Sequence, residues 1–283
     1  MAVDPLTIDL AGRVAIVTGG AAGIGRGIAT QLARCGADVV IADVDGDGAQ
    51  RTANEVEAME RRSLALACDV MDTEQVRSTI ARTEAYFGRL DILVNNAGGV
   101  KFRPFLEQNE RSWRRHIDLN LSSVFEATSA AAPLMIRGRQ GGSIVNLASI
   151  EATRAAPGYA VYAASKAAVL SFTRSMALEL ADDGIRVNAI SPDWTRTPGN
   201  LGLTGAQRTD ELPEPSPKEQ ELAERYVPLR RQGTIEECGR LVAFLCSPHA
   251  AYITGVNVPV DGGTWASSGW LRSSSSGWTV WGE

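Results

Sequence analysis

The sequence predicts an α/β fold in which helices cover both faces of one doubly wound, parallel β-sheet. Short apolar runs rich in β-branched residues alternate along the chain with longer amphipathic segments. The short runs are almost continuously apolar, which is typical of strands buried on both faces rather than on one. The segments between them are long enough to form the right-handed helical crossovers that parallel strands require.

The first half of the chain contains four predicted strands and three predicted helices. In the first helix Ile24, Ile28 and Leu32 lie four residues apart on one face, and Gly36 follows as a helix stop. Strands are predicted at residues 13–20, 38–43, 63–70 and 90–99, and helices at residues 23–37, 48–62 and 73–88.

The second half continues this alternation. One long helix is predicted over residues 111–138, a strand over 142–149, a helix from Tyr162 onward, and strands over 185–192 and 255–263. No linker is evident before residue 198, and no internal repeat is present. We therefore expect a single domain over residues 1–263.

Two segments break the alternation. Residues 198–219 are rich in glycine and proline, and such a long insertion in a compact fold is often a lid or a binding loop. We predict a substrate lid over residues 198–226, with a merely mobile surface loop as the alternative. Residues 264–283 are rich in serine, which favours disorder, yet they hold four of the six tryptophans. We expect this tail to dock on the body or on a neighbouring subunit, because exposed tryptophans would present much apolar surface.

The composition argues against several classes of protein. The chain has 283 residues, 44% hydrophobic and 22% charged, which is an ordinary globular balance. Its net charge of −5, without a basic stripe, argues against a nucleic-acid partner. Four cysteines without a CxxC pair and only two histidines argue against a zinc site. Cys35 and Cys246 lie among apolar residues and are expected in the core.

The chain is predicted to be soluble, reduced and cytoplasmic. No apolar run approaches the length needed to span a membrane. The N-terminal stretch MAVDPLTIDLAGR has acidic residues where a signal peptide needs a basic start and a long apolar segment.

A glycine-rich loop joins the first strand to the first helix. Gly19, Gly23 and Gly25 in TGGAAGIG allow a tight turn and a close approach of the backbone to a phosphate. The helix that follows presents free N–H groups and a partial positive charge to a pyrophosphate. Glycines alone are weak evidence because any tight turn needs them, but their position between a strand and a helix favours a dinucleotide site.

Two acidic residues follow later strands. Asp43 ends the second strand at the roughly 20-residue interval where a carboxylate binds the adenosine ribose hydroxyls and repels a 2′-phosphate. No basic residue directly follows it, so NAD is predicted in preference to NADP; an ordinary loop-capping role is the alternative. Asp69, at the end of the third strand, is similarly placed to meet the adenine or to cap the next helix.

Tyr162 and Lys166 are four residues apart and so share one helix face. A free phenol has a pKa of about 10, which a nearby ammonium lowers, and burial among small residues strengthens that effect. A surface tyrosine beside a solvated lysine is the alternative. Ser149 favours a reactive site, because it closes a predicted parallel strand at the carboxyl end, where ligands bind in open α/β sheets.

Over residues 8–263 these motifs resemble the short-chain dehydrogenase/reductase family. The resemblance rests on TGGAAGIG at 18–25, NNAG at 95–98, Asn120 in IDLNLSSVF, Ser149, YAASK at 162–166 and ITGVNVPVDGG at 253–263. It implies a Rossmann-type fold with a seven-stranded parallel sheet. It also implies a homotetramer assembled through the helices around residues 110–136 and 160–180.

The same resemblance implies a division of roles. Ser149 would orient the substrate oxygen, and Tyr162 would be the acid/base. Lys166 would lower the tyrosine pKa and hold the nicotinamide ribose, while Asn120 would support a proton relay. With Tyr162 and Lys166, the implied cofactor-binding residues are Gly19, Gly23, Ile24, Gly25, Asp43, Asp69, Val70, Asn96, Ala97, Gly98, Pro192 and Thr197.

One position departs from the family pattern. The family usually has Pro-Gly at the end of the sixth strand, whereas this chain has Pro192-Asp193 followed by Trp194. Glycine permits unusual dihedral angles or a close approach, and aspartate tolerates the left-handed region better than most residues, so we expect the fold to survive. Trp194 is expected either to narrow the substrate pocket or to pack outward.

The predicted function is an NAD(H)-dependent oxidoreductase that interconverts a secondary alcohol and a ketone. Candidate substrates are a cyclic or steroid-like alcohol, a sugar alcohol or a 3-oxoacyl thioester. An NADP(H)-dependent 3-oxoacyl carrier-protein reductase is the alternative, against which Asp43 argues. A non-catalytic NAD sensor would be expected to lack some of the four catalytic residues, and an enoyl reductase would separate the tyrosine and lysine more widely.

Overall fold

Seven strands form one parallel sheet in the computed structural model, which describes residues 7–203, 212–273 and 277–280. The strands are β1 (Val14–Thr18), β2 (Asp38–Asp43), β3 (Ser63–Ala67), β4 (Ile92–Asn95), β5 (Gly142–Leu147), β6 (Ile185–Pro192) and β7 (Asn257–Val260). Their spatial order is β3-β2-β1-β4-β5-β6-β7. The predicted doubly wound fold is confirmed, and the strand order reverses between β1 and β4, where ligand clefts form in such sheets.

Helices cover both faces of this sheet. They are α1 (Gly23–Arg34), α2 (Gly46–Glu57), α3 (Thr73–Phe87), α4 (Glu110–Ile117), α5 (Ser123–Gly138), α6 (Ala160–Glu179), α7 (Pro217–Tyr226), α8 (Ile235–Cys246) and α9 (Thr264–Ser267). One face carries α1, α2 and α8, and the other carries α3, α5 and α6. Within the described ranges, no helix combines the length and apolarity needed to cross a bilayer.

Successive residues of each strand point to opposite faces, and both sets are buried. In β1, Ala15 and Val17 pack with α1 and α8, whereas Val14 and Ile16 pack with α3 and α5. A strand between two helix layers therefore has no solvent-facing side, which is why these runs are apolar at nearly every position. The predicted apolar face of α1 packs into the first of these two cores.

The helix predicted over residues 111–138 is interrupted. One turn of π-helix at Asp118–Ser122 separates α4 from α5. Asn120 is fully buried in this turn, and its Nδ2 donates hydrogen bonds to the carbonyl oxygens of His116 and Gly99, both at 2.9 Å. The turn contains no glycine or proline that would mark a helix end, so the sequence predicts one continuous helix; π turns are frequent at functional sites.

The predicted lid and tail both contain regular structure. Within the lid, α7 begins with a reciprocal capping box between Ser216 and Glu219. In the tail, α9 is followed by an antiparallel hairpin of β8 (Leu271–Ser273) and β9 (Gly277–Thr279), and β8 packs against α7. The hairpin thus contacts the body of its own chain. Residues 204–211 of the lid and Trp281 of the tail lie outside the described residues.

Candidate active site

A cleft of about 790 Å³ lies at the carboxyl ends of the strands, beside the switch in strand order. This volume is in the range typical of cofactor and small-molecule sites. Ser149, Tyr162 and Lys166 line the cleft, whereas Asn120 lies behind its wall. Every residue expected to bind the cofactor also lines it: Gly19, Gly23, Ile24, Gly25, Asp43, Asp69, Val70, Asn96, Ala97, Gly98, Pro192 and Thr197.

The N-terminus of α1 faces this cleft without a cap. The helix begins after Ala22, has no capping side chain and has no acidic residue in its first turn. By contrast, Asp45 and Asp72 cap the N-termini of α2 and α3. The first N–H groups of α1 and the positive end of its dipole are therefore available to an anion.

Two glycines bring the loop and the helix together. Gly19 has φ +64°, in the left-handed region, and a Cβ on Gly25 would overlap the carbonyl oxygen of Gly19. The Asn96 side chain donates to the carbonyl oxygens of Thr18 and Gly19, at 2.8 and 3.0 Å, and so fixes the loop to the end of β4. The Thr18 hydroxyl accepts hydrogen bonds from the backbone there as well, a role that no glycine motif indicates.

Asp43 braces the glycine loop and also lines the cleft. Its buried carboxylate accepts backbone hydrogen bonds from Ala21 at 3.0 Å and from Asp45 at 2.9 Å, which braces the glycine loop. It also lines the cleft, where its remaining lone pairs can accept hydrogen bonds from a ligand. Asp69 lines the cleft too, but the alternative that it caps α3 is wrong, because Asp72 does so.

Tyr162 and Lys166 lie on one wall of the cleft because α6 places them one turn apart. The Lys166 Nζ is 5.7 Å from the centroid of the Tyr162 ring and donates to the carbonyl oxygen of Leu147 at 2.7 Å. Ser149, just after β5, lies within hydrogen-bonding reach of the phenol. Its hydroxyl oxygen also accepts a hydrogen bond from the backbone N–H of Glu151 at 3.2 Å.

The protonation behaviour of this pair is dominated by burial. Burial raises the pKa of Tyr162, the Ser149 hydrogen bond lowers it, and the charges of Glu151 and Asp193 raise it further. Burial also lowers the pKa of Lys166 to about 8. The expected lowering of the tyrosine pKa is therefore not produced by the protein alone, since desolvation pushes both groups toward their neutral forms.

Asn120 supports the cleft from behind. Its Oδ1 accepts a hydrogen bond from the backbone N–H of Gly99 at 3.0 Å, and its Nδ2 donates to the Gly99 carbonyl oxygen at 2.9 Å. A Cβ built on Gly98 would lie 2.9 Å from the Asn120 Oδ1 and 3.4 Å from the Lys166 Nζ. The structure thus brings all four expected catalytic residues together, with three of them facing the cleft.

The chain turns sharply after β6. The left-handed conformation at this turn falls on Trp194, with φ 37°. Of the two alternatives for Trp194, the structure supports the one in which this side chain narrows the cleft. Glu151 and Tyr159 also line the cleft, although neither was identified from the sequence. Neither belongs to a motif, because residues that contact a ligand vary with that ligand and are not required by the fold.

Comparison with known proteins gives extensive similarity. Residues 19–264 match a family model described as Enoyl-(Acyl carrier protein) reductase. Oxidoreductase UcpA from Salmonella typhimurium is 40% identical over 256 residues, which cover 90% of this chain and 95% of that protein. The 3-oxoacyl-(acyl-carrier-protein) reductase FabG from Thermotoga maritima is 35% identical over 254 residues, covering 90% and 98%. A solved 7α-hydroxysteroid dehydrogenase, complexed with NADH and 7-oxo glycochenodeoxycholic acid, superposes with a TM-score of 0.83 at 32% identity, covering 92% and 97%.

Proposed function

The chain belongs to the short-chain dehydrogenase/reductase family of oxidoreductases, and from this premise we propose that it interconverts a secondary alcohol and a ketone with NAD(H). The observation that carries the proposal is that Ser149, Tyr162 and Lys166 share one cleft with the uncapped N-terminus of α1. A phenol that could exchange a proton and a helix N-terminus that could bind a dinucleotide pyrophosphate therefore share one cavity.

The residues of the cleft fit a dinucleotide. The uncapped helix suits a pyrophosphate, and the glycine cradle allows the backbone to approach it. Asp43 suits the adenosine ribose, and the nearby guanidiniums of Arg26 and Arg51 are paired with Glu55 at 2.9 Å and Asp45 at 3.7 Å. A 2′-phosphate would meet a carboxylate and cations already engaged by acids, which supports NAD over NADP. The 7α-hydroxysteroid dehydrogenase relative also contains NADH.

A nicotinamide bound in the cleft would supply or accept the hydride. The Ser149 hydroxyl would hold the substrate oxygen by a hydrogen bond. The Tyr162 phenol would give its proton to that oxygen when a ketone is reduced, and the Tyr162 phenolate would take a proton from it when an alcohol is oxidised. Burial favours the protonated phenol, the form needed for ketone reduction, while Lys166 keeps a titratable ammonium close to the ring. Asn120 holds the backbone of Gly99 behind them.

The proposal is tested by turnover of NADH and NADPH on a panel of ketones. We expect oxidation of NADH, and Tyr162→Phe should lower kcat by about 10²- to 10⁴-fold while NADH binding is retained. Tyr159→Phe is the matched control, because this tyrosine lines the same cleft three residues earlier. Equal turnover by Tyr162→Phe and the unmodified protein would contradict the assigned acid/base, and greater thermal stabilisation by NADP would contradict the cofactor.

A 3-oxoacyl carrier-protein reductase that uses NADPH is the second candidate, and the 35% identity to FabG favours it. Asp43 argues against its cofactor. Reduction of acetoacetyl thioesters with NADPH faster than any simple ketone with NADH would establish it. The four-residue step from Tyr162 to Lys166 argues against an enoyl reductase, and NAD binding without turnover on any ketone would favour a sensor.

We also propose a cytoplasmic homotetramer. Apolar side chains on α5 and α6 support an interface there: the Phe125 and Phe172 rings are 4.6 Å apart, Phe125 is 41% exposed and Leu178 is 78% exposed. Light scattering on the purified protein tests the assembly, and a monomeric mass would contradict it.

A further inference from the structure

Two carboxylates with no role in the proposed chemistry lie at the substrate end of the cleft, meaning the part beside Ser149 and Tyr162. Glu151 and Asp193 both line the cleft, and the charges of both act on the Tyr162 phenol. The Lys166 ammonium is directed to the carbonyl oxygen of Leu147. Apart from Lys166, the charges that act on the proposed acid/base are therefore negative.

Arg154 links these two acids but does not neutralise them. Its guanidinium lies 2.8 Å from the Glu151 Oε1 and 3.6 Å from the Asp193 Oδ2. The hydroxyl of Thr264 lies 2.7 Å from the same Asp193 oxygen and 3.3 Å from the Asp261 Oδ2, which adds a third carboxylate to the group. One cation among three carboxylates leaves a net negative charge.

Both cleft-lining carboxylates keep acceptor capacity. Among the described residues, the Glu151 oxygens bond only to Arg154, and the Asp193 Oδ1 accepts one hydrogen bond, from the Trp194 backbone at 2.9 Å. A carboxylate oxygen can accept about two hydrogen bonds. The side chains of Glu151 and Asp193 are 22% and 20% exposed, so a ligand can reach them.

We propose that Glu151 and Asp193 make this site selective for neutral alcohols with a second hydroxyl group near the reacting carbinol. That hydroxyl donates a charge-assisted hydrogen bond to one of the two carboxylates. A carboxylate or phosphate at the same place is repelled by the carboxylates, and it finds the Arg154 guanidinium already occupied. The inference rests on the proposed function and deepens it by naming the substrate class: a diol or polyol rather than an anionic alcohol.

One other cation bears on this assignment. Arg115 of α4 is exposed and lines the cleft, one turn before Leu119, which packs beside Gly99. Its charge is not among those that act on Tyr162. Arg115 therefore belongs to the wall formed by the loop after β4, and a preference for anionic substrates would point to it instead.

A matched ring series tests the proposal with NAD as oxidant. The probes are cyclohexanol, 1,3-cyclohexanediol, 3-hydroxycyclohexanecarboxylate and 3-aminocyclohexanol. We expect kcat/KM to be highest for the diol and at least about tenfold lower for the carboxylate, as expected for a like charge a few ångströms away. Preference for the carboxylate would overturn the proposal, and preference for the ammonium compound over the diol would show a cation site instead.

Variants of the two carboxylates test whether they cause the preference for the diol over the carboxylate. Glu151→Gln should lower the diol-to-carboxylate ratio about three- to tenfold, and Asp193→Asn should do the same. Glu151→Gln is the safer variant for folding, because within the described part of the chain this carboxylate bonds to the Arg154 side chain and to no backbone group. Glu84→Gln, which removes an acid paired with Arg137 away from the cleft, is the control. An unchanged ratio in both cleft variants would overturn the proposal.

Binding separates this inference from the proposed function. Titration of the diol and of the carboxylate into the protein–NADH complex should show the diol binding at least about tenfold more tightly. Tighter binding of the diol than of the carboxylate, without turnover of any alcohol, would contradict the proposed function and support the proposed role of Glu151 and Asp193. Turnover of all four probes, with equal affinity for the diol and the carboxylate, would support the function and overturn the site.

Discussion

The two halves of the cleft are built from different parts of the chain. The half beside α1 has backbone and small residues at its closest contacts, with Gly19 and Gly25 packed together and the helix N-terminus uncapped. The half beyond Tyr162 consists of side chains, with Glu151, Asp193 and Trp194 along its wall. A wall of backbone admits one residue type at its close contacts, whereas a wall of side chains admits many.

This difference teaches which part of a site can be identified from sequence. Where only glycine fits sterically, the glycine itself identifies the site in the sequence. Where a carboxylate contacts a substrate, the fold does not require that residue type, so no sequence pattern identifies it. The cofactor half should therefore be intolerant of small changes, and the substrate half should accept larger ones with changes in selectivity only.

The largest effect we expect is from Gly25→Ala. The added Cβ would overlap the carbonyl oxygen of Gly19 and displace the loop from the helix N-terminus. We expect NADH affinity to fall about 100-fold, equivalent to about 3 kcal/mol of overpacking. Quenching of protein fluorescence by NADH measures it.

Gly138→Ala is the matched control. Gly138 lies in α5, and a Cβ there would meet nothing within 4 Å. Alanine has the higher helix propensity, so stability should be equal or slightly greater and NADH affinity unchanged. If both alanine variants lost affinity to the same degree, or neither did, the contrast between the two halves would be wrong.

The fold was predictable because a buried parallel sheet leaves a simple pattern. Strands such as β1 and β2 are apolar at nearly every buried position. The apolar pattern did not reveal two helical features, the π turn and α7. The π turn at Asn120 contains no glycine or proline to mark a helix end, and α7 has few buried residues with which to show a periodicity.

The positions of site residues were predictable where backbone geometry requires a residue type. Their pKa values were less predictable, because these depend on burial and on charges brought close by the fold. The step from Tyr162 to Lys166 correctly placed both on one wall. The lowering of the tyrosine pKa that this spacing suggests is not produced by the protein alone, because burial and the charges of Glu151 and Asp193 raise that pKa and the Lys166 ammonium is directed to a carbonyl. Burial and the packing of distant acids come from tertiary structure and are not visible in local spacing.

The second prediction concerns Lys166, which joins the two halves. Burial lowers its pKa from an ordinary 10.5 to about 8, so the unfolded chain binds this proton more tightly than the folded protein does. The penalty is complete below about pH 8 and fades as pH rises toward 10.5. We expect Lys166→Met to raise the free energy of unfolding by about 1–3 kcal/mol at pH 7 and to abolish turnover.

Urea unfolding at pH 7 and pH 10 checks this expectation, with Lys218→Met, on the exposed surface of α7, as control. The gain from Lys166→Met should shrink at pH 10, and the control should be neutral at both values. In Lys166→Met the carbonyl oxygen of Leu147 loses its hydrogen-bond donor. This loss destabilises the folded protein and reduces the expected gain toward about 1 kcal/mol. A loss of stability at pH 7 would show that this hydrogen bond outweighs the buried charge.

The third prediction tests whether a side chain sets selectivity even in the backbone-built half. Asp43→Asn keeps one of the two side-chain oxygens that accept hydrogen bonds from the loop, and it removes the charge that opposes a 2′-phosphate. We expect the NAD-to-NADP ratio of kcat/KM to fall about tenfold, or about 1.4 kcal/mol. Asp72→Asn, which retains a good cap on α3, should leave the ratio unchanged. An unchanged ratio in Asp43→Asn would assign Asp43 to loop bracing alone.

The smallest effect on NADH binding should come from replacing Trp194, because this large residue lies in the substrate half, away from the cofactor half. Its φ of 37° lies in the left-handed region, so Trp194→Gly should be about 1 kcal/mol more stable than Trp194→Ala, which keeps the Cβ strain. Both variants open the cleft and should change the KM for bulky alcohols while NADH affinity stays within about twofold. Thermal unfolding and NADH titration measure the two quantities. A large loss of NADH affinity would show that the two halves are one coupled structure, because a change in the side-chain wall would then disturb the backbone wall.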